Sequence, residues 1–236
     1  MKNKADEVSV KSHSTRRPLI RDLYENPMSA EAIETRSFEI IDSEARSDGF
    51  SPDQWQVVRR MVHTTADFGL IDFIRFSRDS IVSARRALKS GAKIFVDSNM
   101  IRSGLSMARL AQVYPGYSSE DLVCHVADQD ITAAARESGL PRSLFAVRKA
   151  KSMLDGAIAA FGNAPVALME LNRLIVEEDI KPAIVIAMPV GFVHVVESKD
   201  EIMGLDIPYI AVAGRRGGSP LAVSTIHALC ALASAK

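Results

Sequence analysis

His63 is the residue best placed for proton chemistry. It lies about three turns into a helix that opens at Ser51, one or two turns before its expected end. Histidine is the side chain that ordinarily changes charge near neutral pH, and a helix C-terminus favours the protonated ring. Arg59 and Asp67 stand one turn to either side of it. The same pattern fits a plain surface histidine, so both readings stay open from pattern alone. His13, His125, His194 and His227 have no metal-ligand spacing to a second histidine or a carboxylate cluster, and no metal site is expected. No Gly-x-Ser-x-Gly elbow is present, and Cys124 and Cys230 read as small buried hydrophobes in a reducing compartment.

A second set of residues could meet an anion. The loop Gly214-Arg215-Arg216-Gly217-Gly218 follows an apolar run and precedes a helix signal at Ser219-Pro220. That context suits an anion at a helix N-terminus, yet the loop lacks the spacing of a P-loop or a dinucleotide fingerprint. Its arginines read as a carboxylate or phosphate clamp, with a tight turn carrying solvated arginines as the alternative. Gly162-Asn163-Ala164-Pro165 is small enough to let a flat ligand approach the backbone, or it is a plain strand-to-helix turn. Arg142-Ser143, just after Pro141, adds an anion-facing pair with the same alternative. Glu197 and Lys199 read as surface charges.

The elements that must position these groups are legible as well. Apolar runs at Ala157 to Phe161, Ala183 to Met188 and Ile207 to Val212 each end in a loop of small and turn residues and then a helix start. Such runs read as strands buried on both faces of a parallel sheet. Ala92 to Val96 and Leu122 to Val126 supply two more. The expected fold is therefore three-layer α/β/α, with a mostly parallel sheet of about five strands in a single domain. Ligands in such sheets bind at the carboxyl ends of the strands, so the three loops are expected to line one rim.

Helices are expected at Ala30 to Glu44, from Ser51 with a capping box to Gln54 and an end near Gly69, and over Ser77 to Ser90. Another closes at Gly139, and the next runs from Pro141 to about Leu154. Residues 1–29 read as a polar tail, and 30–236 as one α/β domain. Lys plus Arg and Asp plus Glu number 29 each, so no global charge points to nucleic acid, and an anionic ligand must be met locally. The absence of a long apolar stretch or an apolar leader points to a cytoplasmic protein with no membrane partner.

From Ile33 to Leu232 the chain resembles the precorrin-8X and cobalt-precorrin-8 methylmutases. The resemblance rests on Arg36-Ser37-Phe38-Glu39-Ile40-Ile41, Arg60-Met61-Val62-His63, Ser83-Ala84-Arg85-Arg86-Ala87-Leu88 and Gly162-Asn163-Ala164-Pro165. It rests also on Met188-Pro189-Val190-Gly191-Phe192-Val193 with Glu197-Ser198-Lys199, and on Gly214-Arg215-Arg216-Gly217-Gly218-Ser219. The order of all six is far more specific than any one.

The resemblance implies an isomerase that moves a methyl group from C-11 to C-12 of a corrin precursor, giving hydrogenobyrinate or cobyrinate, without a cofactor. It implies His63 as proton donor, Ser37 facing substrate, and Arg142 in substrate binding. The Gly162 and Pro189 loops become walls of a macrocycle pocket, and the implied assembly is a homodimer with its site near the interface. The implied substrate contacts are Arg36, Ser37, Arg142, Ser143, Gly162, Asn163, Ala164, Pro189, Gly191, Phe192, Lys199, Arg215, Gly217 and Gly218. A polycarboxylate tetrapyrrole suits local arginines and free backbone N–H groups. A non-catalytic tetrapyrrole carrier is the alternative from another class. Ala187, His194-Val195-Val196, Arg216 and the Tyr114 to Ser119 stretch depart from the usual family pattern and bear on fine substrate preference.

Overall fold

The computed structural model describes residues 17–235. Within them the chain runs α1 (Ile20–Glu25), α2 (Ala30–Glu44), α3 (Pro52–Thr65), β1 (Ile74–Phe76), α4 (Ser80–Lys89), β2 (Ile94–Val96), α5 (Asn99–Gly104) and α6 (Met107–Val113). It continues through β3 (Leu122–Val123), α7 (Gln129–Ser138), α8 (Arg142–Leu154), β4 (Ile158–Phe161) and α9 (Pro165–Glu178). It closes with β5 (Ile184–Ala187), α10 (Val195–Met203), β6 (Tyr209–Val212) and α11 (Ser219–Ser234). His13 and most of the basic amino-terminal stretch lie outside the described residues. Within the stretch read as a tail, α1 buries no residue.

The six strands are ordered β1-β6-β5-β4-β2-β3. All neighbours are parallel except β1, which pairs antiparallel with β6 through Ile74 and Val212 at one end. The expected five strands are thus present, and β1 is an addition to them. Ile-Arg-Phe is too short to print an alternating pattern in sequence.

Alternation sorts the strands onto two cores. Ile94, Ile158, Ile184 and Ile210 face one layer, with buried residues of α3, α4, α5, α6 and α11. Phe95, Ala159, Val185 and Ala211 face the other, with α8, α9 and α10. This is the three-layer arrangement that parallel sheets require, since both faces must be covered. α11 is apolar on nearly every side and buried along most of its length, as a helix ringed by other helices should be.

Two boundaries differ from the expectation. α3 begins with the expected capping box, Ser51 to Gln54 and back, but ends at Ala66 in the left-handed conformation rather than near Gly69. Gly69 instead sits in a 3-10 turn, Phe68–Phe73. The helix expected over Ser77 to Ser90 is shorter, because Ser77 is tied to β6 through Tyr209.

Strand order fixes where a ligand crevice should open. From β2 the chain moves outward to β3, then returns to the other side for β4, β5 and β6. The order reverses between β2 and β4, and a crevice at such a switch point is the usual ligand site of an open α/β sheet.

Candidate functional site

That crevice is filled by the protein itself. Asp97, the residue after β2, is almost wholly buried and accepts hydrogen bonds from the backbone N–H groups of Gly162, Asn163 and Ala164 at 3.1, 2.9 and 2.7 Å. Burial pushes its carboxyl upward, and the three donors pull it back. The carboxylate therefore takes the place at the start of α9 that a ligand anion would take. Asp97 directly follows the apolar run Ala92 to Val96, and an acid at a strand's carboxyl end followed by a capping serine is the signal the sequence carries for it. Ser98, next along, caps α5 and meets Ser219 of α11 oxygen to oxygen at 3.1 Å.

The glycines of the rim serve loop-to-loop packing. A Cβ on Gly162 would lie 2.6 Å from the Ser219 Cα, and one on Gly217 would lie 2.2 Å from the Met188 carbonyl oxygen. Gly218 donates its N–H to that same carbonyl at 2.7 Å. The close approach expected of Gly162 is thus to backbone of the α11 loop. Lys199 joins this cluster. It is fully buried, and its Nζ donates to the Pro189 carbonyl at 3.1 Å and the Arg216 carbonyl at 2.9 Å. It is not a surface charge, and burial lowers its pKa to about 8.

The arginine pair divides. Arg216 bonds the Asp67 carboxylate at 2.7 Å and lies over the Phe73 ring, so it binds the rim to the end of α3. Arg215 is exposed and stacks on the exposed Phe192 ring at 5.5 Å. Arg59 and Asp67, expected to flank His63 on one face, are engaged elsewhere: Arg59 with Asp42 at 2.6 Å, Asp67 with Arg216 and the Gly69 N–H.

His63 stands exposed at the rim end of α3, with the Phe38 ring edge-on at 5.3 Å. It shares an apolar depression of about 270 Å³ with Ser37, Ile40, Val62, Ala66 and Phe68. Ser37 and His63, on different helices, are thus brought together. Arg36 points outward and pairs with Glu39. Arg142 is exposed at the start of α8, on the other side of the sheet, and Ser143 beside it is buried. Neither Arg142 nor the Gly162 loop lines the His63 depression.

Two more hollows border the end of α3. One, about 350 Å³, lies between Thr65, Asp67, Val190 and Gly217. The other, about 370 Å³, lies between Arg60, Thr64, Ser219 and His227. The first turns of α8 and α10 carry no side-chain cap, which leaves backbone N–H groups for an anion, whereas in α11 Pro220 has no N–H and the Leu221 and Ala222 amides donate to the Gly218 carbonyl. Among the described residues no group of three or more His, Cys, Asp or Glu could hold a metal, and no helix is long and apolar enough to cross a membrane.

Comparison with known proteins gives one answer throughout. The family model described as "Precorrin-8X methylmutase" matches residues 32–232. The cobalt-precorrin-8 methylmutase of Leptospira interrogans is 42% identical over 210 residues, 86% of this chain and 93% of that protein. The precorrin-8X methylmutase of Pseudomonas aeruginosa is 34% identical over 202 residues, 84% of this chain and 94% of its own length. Among solved structures, the precorrin-8X methyl mutase of Thermus thermophilus superposes with a TM-score of 0.79 at 42% identity, covering 86% of this chain and 96% of that one.

Proposed function

The chain belongs to the precorrin-8X methylmutase family, an isomerase family of cobalamin biosynthesis, and from that premise we propose that it shifts a methyl group from C-11 to C-12 of precorrin-8X or cobalt-precorrin-8. His63 is the proton donor. The observation that carries this reading is the pairing of His63 and Ser37 in one apolar depression at the strand-end rim. An apolar wall from which substrate and a covering partner exclude water strengthens a proton transfer made against it, and one positioned acid supplies roughly 10²–10⁴-fold.

The C-11 to methyl bond breaks and the C-12 to methyl bond forms within one molecule, with no redox change. Substrate and product are isomers, so the proton given by His63 is balanced by one lost from the rearranged ring, and the same imidazole is placed to take it. The remaining rate comes from holding the macrocycle in a single reactive conformation. Any cobalt travels with the substrate, held by the ring nitrogens.

The depression is open on its outer side, and Ile33, Ile40 and Phe68 beside it are exposed. Exposed apolar side chains clustered at a site favour a covering partner. A second copy of the chain is the proposed cover, making the enzyme a homodimer, with Arg142 and Arg215 free to meet carboxylates of the macrocycle. His63→Ala, assayed by the spectral change from precursor to product, tests the acid. Lost turnover with retained binding supports the assignment; undiminished turnover removes it.

A further inference from the structure

The hollow between α3, α5 and α11 has chemistry that the reading above leaves unused. Its polar lining is Arg60 and Thr64 from α3 and Ser219, Ser224 and His227 from α11, and no carboxylate lines it. His227 is held in one tautomer. The Ser106 backbone N–H can only donate, and it donates to His227 Nε2 at 3.0 Å, so the ring proton sits on Nδ1. No acceptor for that Nδ1 proton is found among the described residues. Burial first, then the nearby Arg109 and Arg60, lower the His227 pKa to about 4 and keep the ring neutral. Arg60 gives one guanidinium N–H to Glu34 at 3.0 Å and lies by the Phe38 ring, which leaves donors of its planar fork uncommitted. Of the other titratable groups nearby, Glu34 is paired with Arg60, and Cys230 is a neutral thiol whose pKa burial raises to about 12.

We propose that this cavity binds one carboxylate-bearing arm of the macrocycle, with Arg60 as counter-charge and His227 Nδ1–H as a neutral, tautomer-fixed donor. The inference rests on the methylmutase reading and adds a subsite and two specificity-determining residues to it. Geometry supports it in three ways. Arg60 lies one helical turn before His63, so their Cβ atoms are about 5–6 Å apart along α3, and Thr64 lies one turn beyond Arg60 on the same strip. The cavity opens at the first turn of α11, where the positive end of the helix dipole favours a negative charge. Its volume, about 370 Å³, is ample for an acetate or propionate chain.

The test uses the full chain and cobyrinate, with its permethyl ester as the neutral control. Wild type and the variants His227→Leu and Thr64→Phe are compared; Thr64 is exposed, so the phenylalanine fills the cavity mouth without entering the core. Both variants are expected to bind cobyrinate roughly 10- to 100-fold more weakly and to bind the ester with much less change. The His227 ring resonances of the wild type, followed by NMR, should titrate at higher pH in the cobyrinate complex than in the free protein. Wild-type turnover and binding combined with unchanged affinity in both variants and an unmoved His227 titration would overturn the subsite alone. A wild type that neither turns over precursor nor binds cobyrinate would overturn the methylmutase reading as well.

Discussion

Replacing Asp97 by asparagine tests the claim that the switch-point crevice is closed from within. The side chains are nearly isosteric, so the change acts on hydrogen bonding and charge. Asp97 Oδ2 accepts from Asn163 and Ala164, and Oδ1 accepts from Gly162. The substituted amide can keep the first two bonds through its one oxygen, in neutral form, at a loss of about 1 kcal/mol each. Its nitrogen then faces the Gly162 N–H donor to donor, and an unpaired buried N–H costs about 1–3 kcal/mol. Shedding a buried charge offsets part of this, leaving a net destabilisation of about 2–3 kcal/mol. For a chain of this size that lowers Tm by roughly 4–12 °C. The assay is thermal and urea unfolding followed by circular dichroism, with hydrogen exchange at the amides of residues 162–164. An asparagine variant with wild-type midpoint and wild-type protection at those amides would refute the reasoning.

Other consequences follow from the same contacts. Gly217→Ala should cost more than about 3 kcal/mol or abolish soluble folded protein, because its Cβ would meet two backbone carbonyl oxygens that Gly218 and Lys199 already engage; urea unfolding reads this. For Lys199 the folded pKa is lowered, so the folded state releases its proton at about pH 8 while the unfolded chain holds it to roughly pH 10.4. Stability should therefore rise with pH across that window in the wild type relative to Lys199→Met, and a parallel pair of urea midpoints would count against it. For His227, also lowered, stability should fall as pH drops from roughly 6.5 towards about 4, and His227→Gln should flatten that limb of the stability curve. Arg142→Ala should weaken cobyrinate binding about tenfold with little change in kcat, and an unaltered affinity would remove it from substrate binding.

The legible parts of the fold were those with enough residues to carry a pattern. α2 spans Ala30–Glu44 as periodicity and spacing indicated, and the capping box of α3 is present atom for atom. β4, β5 and β6 lie inside the apolar runs that announced them. β1, α5 and α6 escaped notice because three, six and seven residues are too few to show a period. Ser98 and Ser106, which cap α5 and α6, were the local marks of those helices. The end of α3 at Ala66 has no sequence signal, since a non-glycine residue at φ 51° is held there by its surroundings.

In the site, residue type was legible and partner was not. Lys199 reads as a surface charge until two loops from different strands bring their carbonyls to it. Gly162 and Gly217 announce a close approach, but sequence does not say whether ligand or neighbouring backbone makes it.

These placements together redirect where a substrate must be recognised. The amides of the Gly162 loop are spent on Asp97, and Arg216 is spent on Asp67. A ligand anion offered to the Gly162 amides would have to displace a buried carboxylate and cost that charge its partners, whereas one offered to Arg216 would compete with the half-exposed Asp67. Not spent in this way are His63 with its apolar hollow and the Arg60 and His227 cavity at the end of α3, with Arg215 at the rim and Arg142 across the sheet. The interior of the rim thus acts as a rigid frame, and recognition of a broad polycarboxylate falls to its outer edge. A flat molecule lying on that edge is covered by this chain on one face only, and that is why the proposed second copy belongs to the site and not merely to the assembly.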